Sequence, residues 1–115
     1  MTRIDVEVLR LGHLAALTVE RGTYDAYRKT RLAAAHALMA LGRTWDGTPE
    51  RTAARADLHV AGLAEYIAHA SYLQAAHERH EAYVAWMDAS EQLFEQSHSR
   101  RQRTLPRVTA LRLTA

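Results

Sequence analysis

The sequence predicts an all-α fold: an antiparallel helical hairpin or small bundle, with one long C-terminal helix and a short basic tail. Three observations carry this. The 115 residues include 22 Ala but only two Pro and five Gly, a composition of helix formers with few breakers. Apolar residues recur at three- and four-residue steps on both sides of the midpoint. Between the two stretches lies Trp45-Asp46-Gly47-Thr48-Pro49. There Gly47 supplies a residue free to take positive φ, Thr48 an N-cap, and Pro49 a first helical position already at the required φ. Trp45 is expected to pack its ring beside the bend and hold the two helices at a fixed approach.

In the first arm, Ile4, Val6 and Val8 alternate with Asp5 and Glu7. That period also suits a short strand, but a helix from about Asp5 is favoured. Counted at helical spacing, Val6, Leu9, His13, Ala16, Glu20, Tyr24, Tyr27, Arg31, Ala34, Leu38, Leu41 and Trp45 form one stripe. Gly22-Thr23 is its weak point: Thr23 could cap a fresh helix, so one bent helix or two are both open. The second arm is read as a helix from Thr48 to about Arg103, with only Gly62 against it at about 1 kcal/mol. Val60, Leu63, Ile67, Ala70, Leu73, His77, His80, Val84, Met87 and Phe94 make its core-facing stripe, while Glu78, Arg79, Glu91 and Glu95 look outward. Such a helix, in which about 50 residues would reach roughly 75 Å at 1.5 Å per residue, outruns its partner arm. The expectation is a homodimer or a helical hetero-partner, with Tyr24, Tyr27, Leu38, Leu63, Ile67, Leu73, Val84, Met87 and Phe94 as interface residues. Pro106 ends the helical reading, which gives a hairpin domain over 1–103 and a basic tail over 104–115.

Residues 1–99 carry ten basic and thirteen acidic side chains, whereas residues 100–115 carry five Arg and no acid. Arg100, Arg101, Arg103, Arg107 and Arg112 could grip phosphate or an acidic surface. Cations near a helix C-terminus also interact favourably with its dipole, so a solvated helix end is the favoured reading and nucleic acid the less favoured one. The absence of Cys removes disulfides, thiolate metal sites and cysteine nucleophiles. No apolar run approaches the roughly 20 residues of a membrane span, and residues 1–20 lack the layout of a signal peptide. The expected location is the cytoplasm, or outside the cell by a route without a cleaved signal.

Candidate chemistry is sparse. His77, His80 and Glu81 share a helix face and could offer two imidazoles and a carboxylate to a metal. No Glu-x-x-His accompanies them, and amphipathic positions at a helical interface are the preferred reading, with no metal or other cofactor expected. Glu65 and His69 could form a carboxylate-oriented base, but nothing supplies a nucleophile, an oxyanion pocket or a Gly-rich phosphate loop. No enzymatic activity is expected. Tyr24, Tyr27, Tyr66, Tyr72, Tyr83 and Trp86 read as core and interface aromatics.

A helix, Trp45-Asp46-Gly47, and a second helix in a chain near one hundred residues without Cys resembles the small Trp-x-Gly helical-hairpin proteins of type VII secretion. The opening Met1-Thr2-Arg3-Ile4-Asp5-Val6-Glu7-Val8-Leu9-Arg10 is similar to the start of actinobacterial members. The resemblance spans roughly residues 3–90. It implies a hairpin that pairs with another helical chain, with Trp45 and Gly47 as turn and recognition positions. In that family the turn combines with a Tyr-x-x-x-Asp/Glu near the end of the second helix as export signal. Here Ala70, Ala76 and Met87 stand four residues after Tyr66, Tyr72 and Tyr83, so that second half is missing. The sequence thus leads to a non-enzymatic helical interaction or assembly protein. The alternatives are an all-α phage or nucleoprotein assembly subunit using its Arg-rich tail, and a His-lined helical binder of a metal or small molecule.

Overall fold

The computed structural model describes the backbone of residues 1–114 and the side chains of residues 1–101. The fold is all-α: α1 (Arg3–Gly42) and α2 (Pro49–Thr114), with no strand among the described residues. The chain divides into two compact units. One is Ala15–Arg79, which contains the turn and the two arms beside it; the other is made of Met1–Leu14 with His80–Ala115.

Helix α1 begins two residues earlier than about Asp5 because Thr2 and Asp5 build a reciprocal cap. The Asp5 backbone N–H donates to Thr2 Oγ1 at 3.1 Å, and the Thr2 N–H donates back to Asp5 Oδ2 at 2.9 Å. Both bonds satisfy donors that a helix N-terminus leaves without intrahelical partners. The backbone hydrogen bond from Thr2, aided by the Thr2 hydroxyl, holds the Asp5 carboxyl below its ordinary pKa.

Gly22 and Thr23 do not interrupt α1, which is one helix through Gly42. Thr23 spends its hydroxyl on the preceding turn, donating to the Glu20 carbonyl at 2.8 Å and to that of Val19 at 3.1 Å. With its oxygen turned back along the helix, Thr23 does not cap a new one.

The turn follows the expected chemistry except at Trp45. Thr48 N–H donates to the Trp45 carbonyl, and Gly47 has φ +77°, as the third position of a type II turn requires. Thr48 caps α2 by accepting the Arg51 N–H at 3.2 Å, while its hydroxyl donates to the Trp45 carbonyl at 2.7 Å. Trp45 does not pack beside the bend: it is 83% exposed. Arg51 fills that role. From the first turn of α2 its Nη1 donates to the carbonyls of Leu41 and Thr44 at 3.4 and 3.3 Å, and its Nε lies 3.0 Å from Asp46 Oδ1, as an ion pair that is not aligned as a hydrogen bond. Helix α1 has no basic residue in its last turn, so Arg51 brings the cation that its C-terminal carbonyls favour.

Helix α2 does not stop at Pro106 but runs to Thr114. Proline removes one backbone donor, a local loss of about 3 kcal/mol, yet the surrounding Arg, Leu and Ala are good helix formers on both sides. The tail expected over 104–115 is therefore part of α2 up to Thr114. The side chains of Arg103, Arg107 and Arg112 lie outside the described residues.

Two outcomes check these devices. Gly47→Val should lower stability by about 1 kcal/mol or more through backbone strain alone, since a Cβ at Gly47 would meet no atom within 4 Å; chemical denaturation measures it. The Asp5 cap has a depressed carboxyl pKa in the folded state, so its stabilisation is complete above the unfolded value of about 4. It is lost as pH falls through the folded value. Amide-exchange protection in the first turn of α1 should hold level above about pH 4 and fall below it.

Candidate functional site

Along α1 the side chains turned inward are Val6, Leu9, His13, Ala16, Glu20, Thr23, Tyr27, Thr30, Ala34, Ala37, Leu41 and Thr44. The steps are three and four in strict alternation, the 3.5-residue period of a coiled coil. The expected stripe agrees as far as Glu20 and then departs at alternate members: Tyr24, Arg31, Leu38 and Trp45 are exposed, and Thr23, Thr30, Ala37 and Thr44 take their places. A straight-helix count of 3.6 drifts away from a heptad by one position within a few turns.

The inward row of α2 has the same period: Arg51, Ala54, Leu58, Ala61, Glu65, Ala68, Tyr72, Ala75, Arg79, Ala82, Trp86, Ala89 and Leu93. Every second member from Ala54 to Ala89 is alanine. Four alanines, Ala34, Ala54, Ala75 and Ala89, are the buried hydrophobic residues of the described structure, and no large side chain is fully buried. Side chains this small let helix backbones pack closely.

Between the alanines stand Leu58, Glu65, Tyr72, Arg79 and Trp86, so that most of these layers are charged or aromatic. In the unit that holds the turn, Arg79 Nε donates to Glu20 Oε2 at 2.5 Å, with both side chains less than one-third exposed. Arg79 was expected to look outward; it turns inward because Glu20 stands in the facing row. Tyr27 stacks on Tyr72 with ring centroids 6.2 Å apart and meets His69 at 4.9 Å, and Tyr24 reaches Tyr72 at 5.3 Å. His69 is thus an aromatic neighbour of Tyr27, in a groove lined also by Glu65 and Tyr66. In the other unit, His13 lies 5.5 Å from both Tyr83 and Trp86, stacked on Trp86, with its Nδ1 buried and without a protein hydrogen-bond partner.

The stripe expected to face α1 does not do so. Val60, Leu63, Ile67, Leu73, Val84 and Phe94 are exposed, and only Met87 is half-buried. They lie on the far side of α2 because the alanine row is the face that admits a close neighbour. A second row in steps of three and four emerges there: Leu63, Tyr66, Ala70, Leu73 and His77 in the unit that holds the turn, and His80, Val84, Met87, Glu91 and Phe94 in the other. Tyr66 is 75% exposed and Phe94 70%. Phe94 stacks on His98 one turn later, with parallel rings 6.0 Å apart. Sequence reasoning found most of this row but read it as facing α1 as well as a partner chain, and it missed the alanine row that a seven-residue count would have given. The outer face of α1 carries no equal, since Arg21, Asp25 and Arg28 interrupt the apolar positions between Leu14 and Leu32.

His77, His80 and Glu81 sit on α2, and among the described residues no group of three or more His, Asp or Glu is placed to hold a metal ion. Arg100 and Arg101 are exposed. No described helix is long and apolar enough to cross a membrane. Comparison with protein-family models, curated proteins and solved structures finds no match.

An alanine of the inner row and an exposed alanine outside it should respond differently to enlargement. Ala75→Leu forces three extra carbons between the helices and should cost about 1–3 kcal/mol. Ala64→Leu, at an exposed position of the same unit, should stay within about 0.5 kcal/mol. Thermal unfolding of both variants measures the difference.

Proposed function

We propose that this chain is a non-enzymatic helical assembly protein, in which the hairpin presents the outer row of α2 to another helical chain. The observation that carries the reading is that row itself. Its large apolar side chains other than Met87 are exposed, while alanine takes every second position of the inner row from Ala54 to Ala89. Burying a leucine or phenylalanine side chain is worth about 1.5–3 kcal/mol, and contiguous exposed apolar surface on a soluble protein marks an interaction site. A regular 3.5-residue period adds the geometry of the partner, since such a row is filled by another helix at coiled-coil spacing.

A more specific form of the reading is a hairpin of the type VII secretion kind. Its support is the Trp45-Asp46-Gly47 turn, where the exposed indole of Trp45 is available for recognition by a second protein and Gly47 holds the backbone that displays it. The missing Tyr-x-x-x-Asp/Glu speaks for the pairing function of such hairpins rather than for export.

Leu73→Asp tests the assembly reading, because a carboxylate in the middle of the row opposes burial by any helix. The wild-type chain is expected to form a complex, with itself or with a co-purifying helical protein, that Leu73→Asp abolishes while the circular dichroism spectrum stays helical. A complex that survives Leu73→Asp, or the absence of any complex at high micromolar concentration and in cell extract, overturns it.

A further inference from the structure

Within the unit that holds the turn, the charged residues of the inward rows are neutralised with one exception. Glu20 has Arg79, and Arg51 has Asp46 together with two carbonyls of α1. Glu65, half-buried between Ala61 and Ala68 of the inner row, has neither a hydrogen bond nor an ion pair to any described residue. Nor is it bonded to His69 one turn on, with which its spacing would suit a carboxylate-oriented base. We propose that Glu65 is the anionic group of a site for a guanidinium, the side chain of an arginine presented by another protein. The site goes beyond the assembly reading and does not depend on it, sharing only Tyr66 with the outer row.

The groove that holds Glu65 has a volume of about 290 Å³ and is lined also by Tyr27, Gly62, Tyr66 and His69. Three ring side chains and one carboxylate therefore share it. Tyr27 is a wall fixed in advance, since its ring meets His69 at 4.9 Å and stacks on Tyr72 at 6.2 Å. Such preorganisation spares a ligand part of the cost of ordering its site. At Gly62 an added Cβ would meet no atom within 4 Å, so the missing side chain leaves open space and not a packed contact. Tyr66 is exposed beside it, which keeps the groove open to solvent on that side.

This donor set selects among cations. Aromatic faces attract a cation within roughly 6 Å of the ring, most strongly one that sheds its water easily. A carboxylate accepts two parallel N–H bonds from a guanidinium, and the guanidinium plane stacks on a tyrosine, so a single planar cation uses both features. An ammonium holds its water more tightly and has no plane to lay on a ring. A metal ion is not matched, because no group of three or more His, Asp or Glu among the described residues is placed to hold one. An open groove suits the tip of a side chain, whose methylene stem can lie along Tyr66, better than an enclosed small molecule. The cations of α1 that follow Tyr27 in sequence do not fill it: Arg28, Lys29 and Arg31 line a different groove.

Titration of the full chain with Nα-acetyl-arginine amide, followed by heteronuclear NMR, tests the site. The citrulline analogue serves as a neutral isostere, the lysine analogue as a point charge, and methylguanidinium as the head group without its stem. Saturable shifts of the Gly62 amide and of the Tyr27 and Tyr66 ring signals are expected with the arginine derivative, weaker binding with the lysine analogue and methylguanidinium, and none with citrulline. Glu65→Gln should weaken arginine binding about tenfold or more, the loss of one charge-assisted pair. Tyr66→Ala, at an exposed position where folding is not at stake, should weaken it about threefold. The absence of saturable shifts, equal response to arginine and citrulline, or unchanged binding by Tyr66→Ala and by a Glu65→Gln chain of unaltered helicity overturns the proposal. Lysine binding as tight as arginine overturns the choice of guanidinium, and methylguanidinium binding as tight as the arginine derivative overturns the choice of a side chain.

Discussion

An alanine at every seventh position of α2, from Ala54 to Ala89, is the constraint on which the structure depends. Methyl side chains allow the facing helix to approach closely, and close approach is satisfied by small partners such as Thr23, Thr30 and Ala37 of α1. The same choice limits what the contact can yield. Each alanine layer buries little more than one methyl group, where a leucine layer would bury several carbons at about 0.8 kcal/mol apiece. The hairpin is therefore organised more by fit and by polar pairing than by the mass of its core.

Polar layers follow from that economy and fix the register. Glu20 and Arg79 neutralise each other in a half-buried layer. One heptad away along α2 stand Tyr72 and Trp86, neither of which could neutralise a carboxylate, so a slip would leave the charge of Glu20 without its counter-ion. Tyr27 on Tyr72, and His13 against Trp86 in the other unit, add large aromatic matches that are equally specific in position. At the bend, Arg51 ties the first turn of α2 to the last carbonyls of α1. A turn with a defined φ at Gly47, a cap at Thr48 and this arginine set where the antiparallel arms begin, and the polar layers hold the alignment onward.

Spending alanine on the inner face leaves the large apolar residues of α2 on the outer one. Two opposed rows on one helix suit a helix with two neighbours, of which α1 is one. The inner row is complete within the monomer. The outer row has the period of a coiled-coil face, and its large apolar members other than Met87 are exposed. The contrast gives the proposed assembly function its physical basis: intramolecular pairing supplies a scaffold, and the hydrophobic surface with the larger energetic return is displayed.

Local chemistry was legible in the sequence wherever a residue acts on its own neighbours. Gly47, Thr48 and Pro49 dictate a stop and a start through φ, capping and a missing N–H, and the turn obeys them. Thr2-Arg3-Ile4-Asp5 also carries a readable cap, since a threonine followed three positions later by an acid is a helix-start signature. Choices between faces were not legible in the same way. Leucine, isoleucine and phenylalanine are attracted to burial whichever helix provides it, so hydrophobicity alone assigns Val60, Leu63, Ile67 and Phe94 to the nearest arm. Only the tertiary structure puts the alanine row on that side, turns Arg79 inward to Glu20, and leaves Trp45 in solvent while Arg51 closes the bend. Helix content and the place of the turn are thus properties of the sequence, set by short-range sterics and hydrogen bonding. Which of two rows of α2 meets α1 was decided by packing between elements far apart in the chain, where the size of a side chain counts for as much as its polarity.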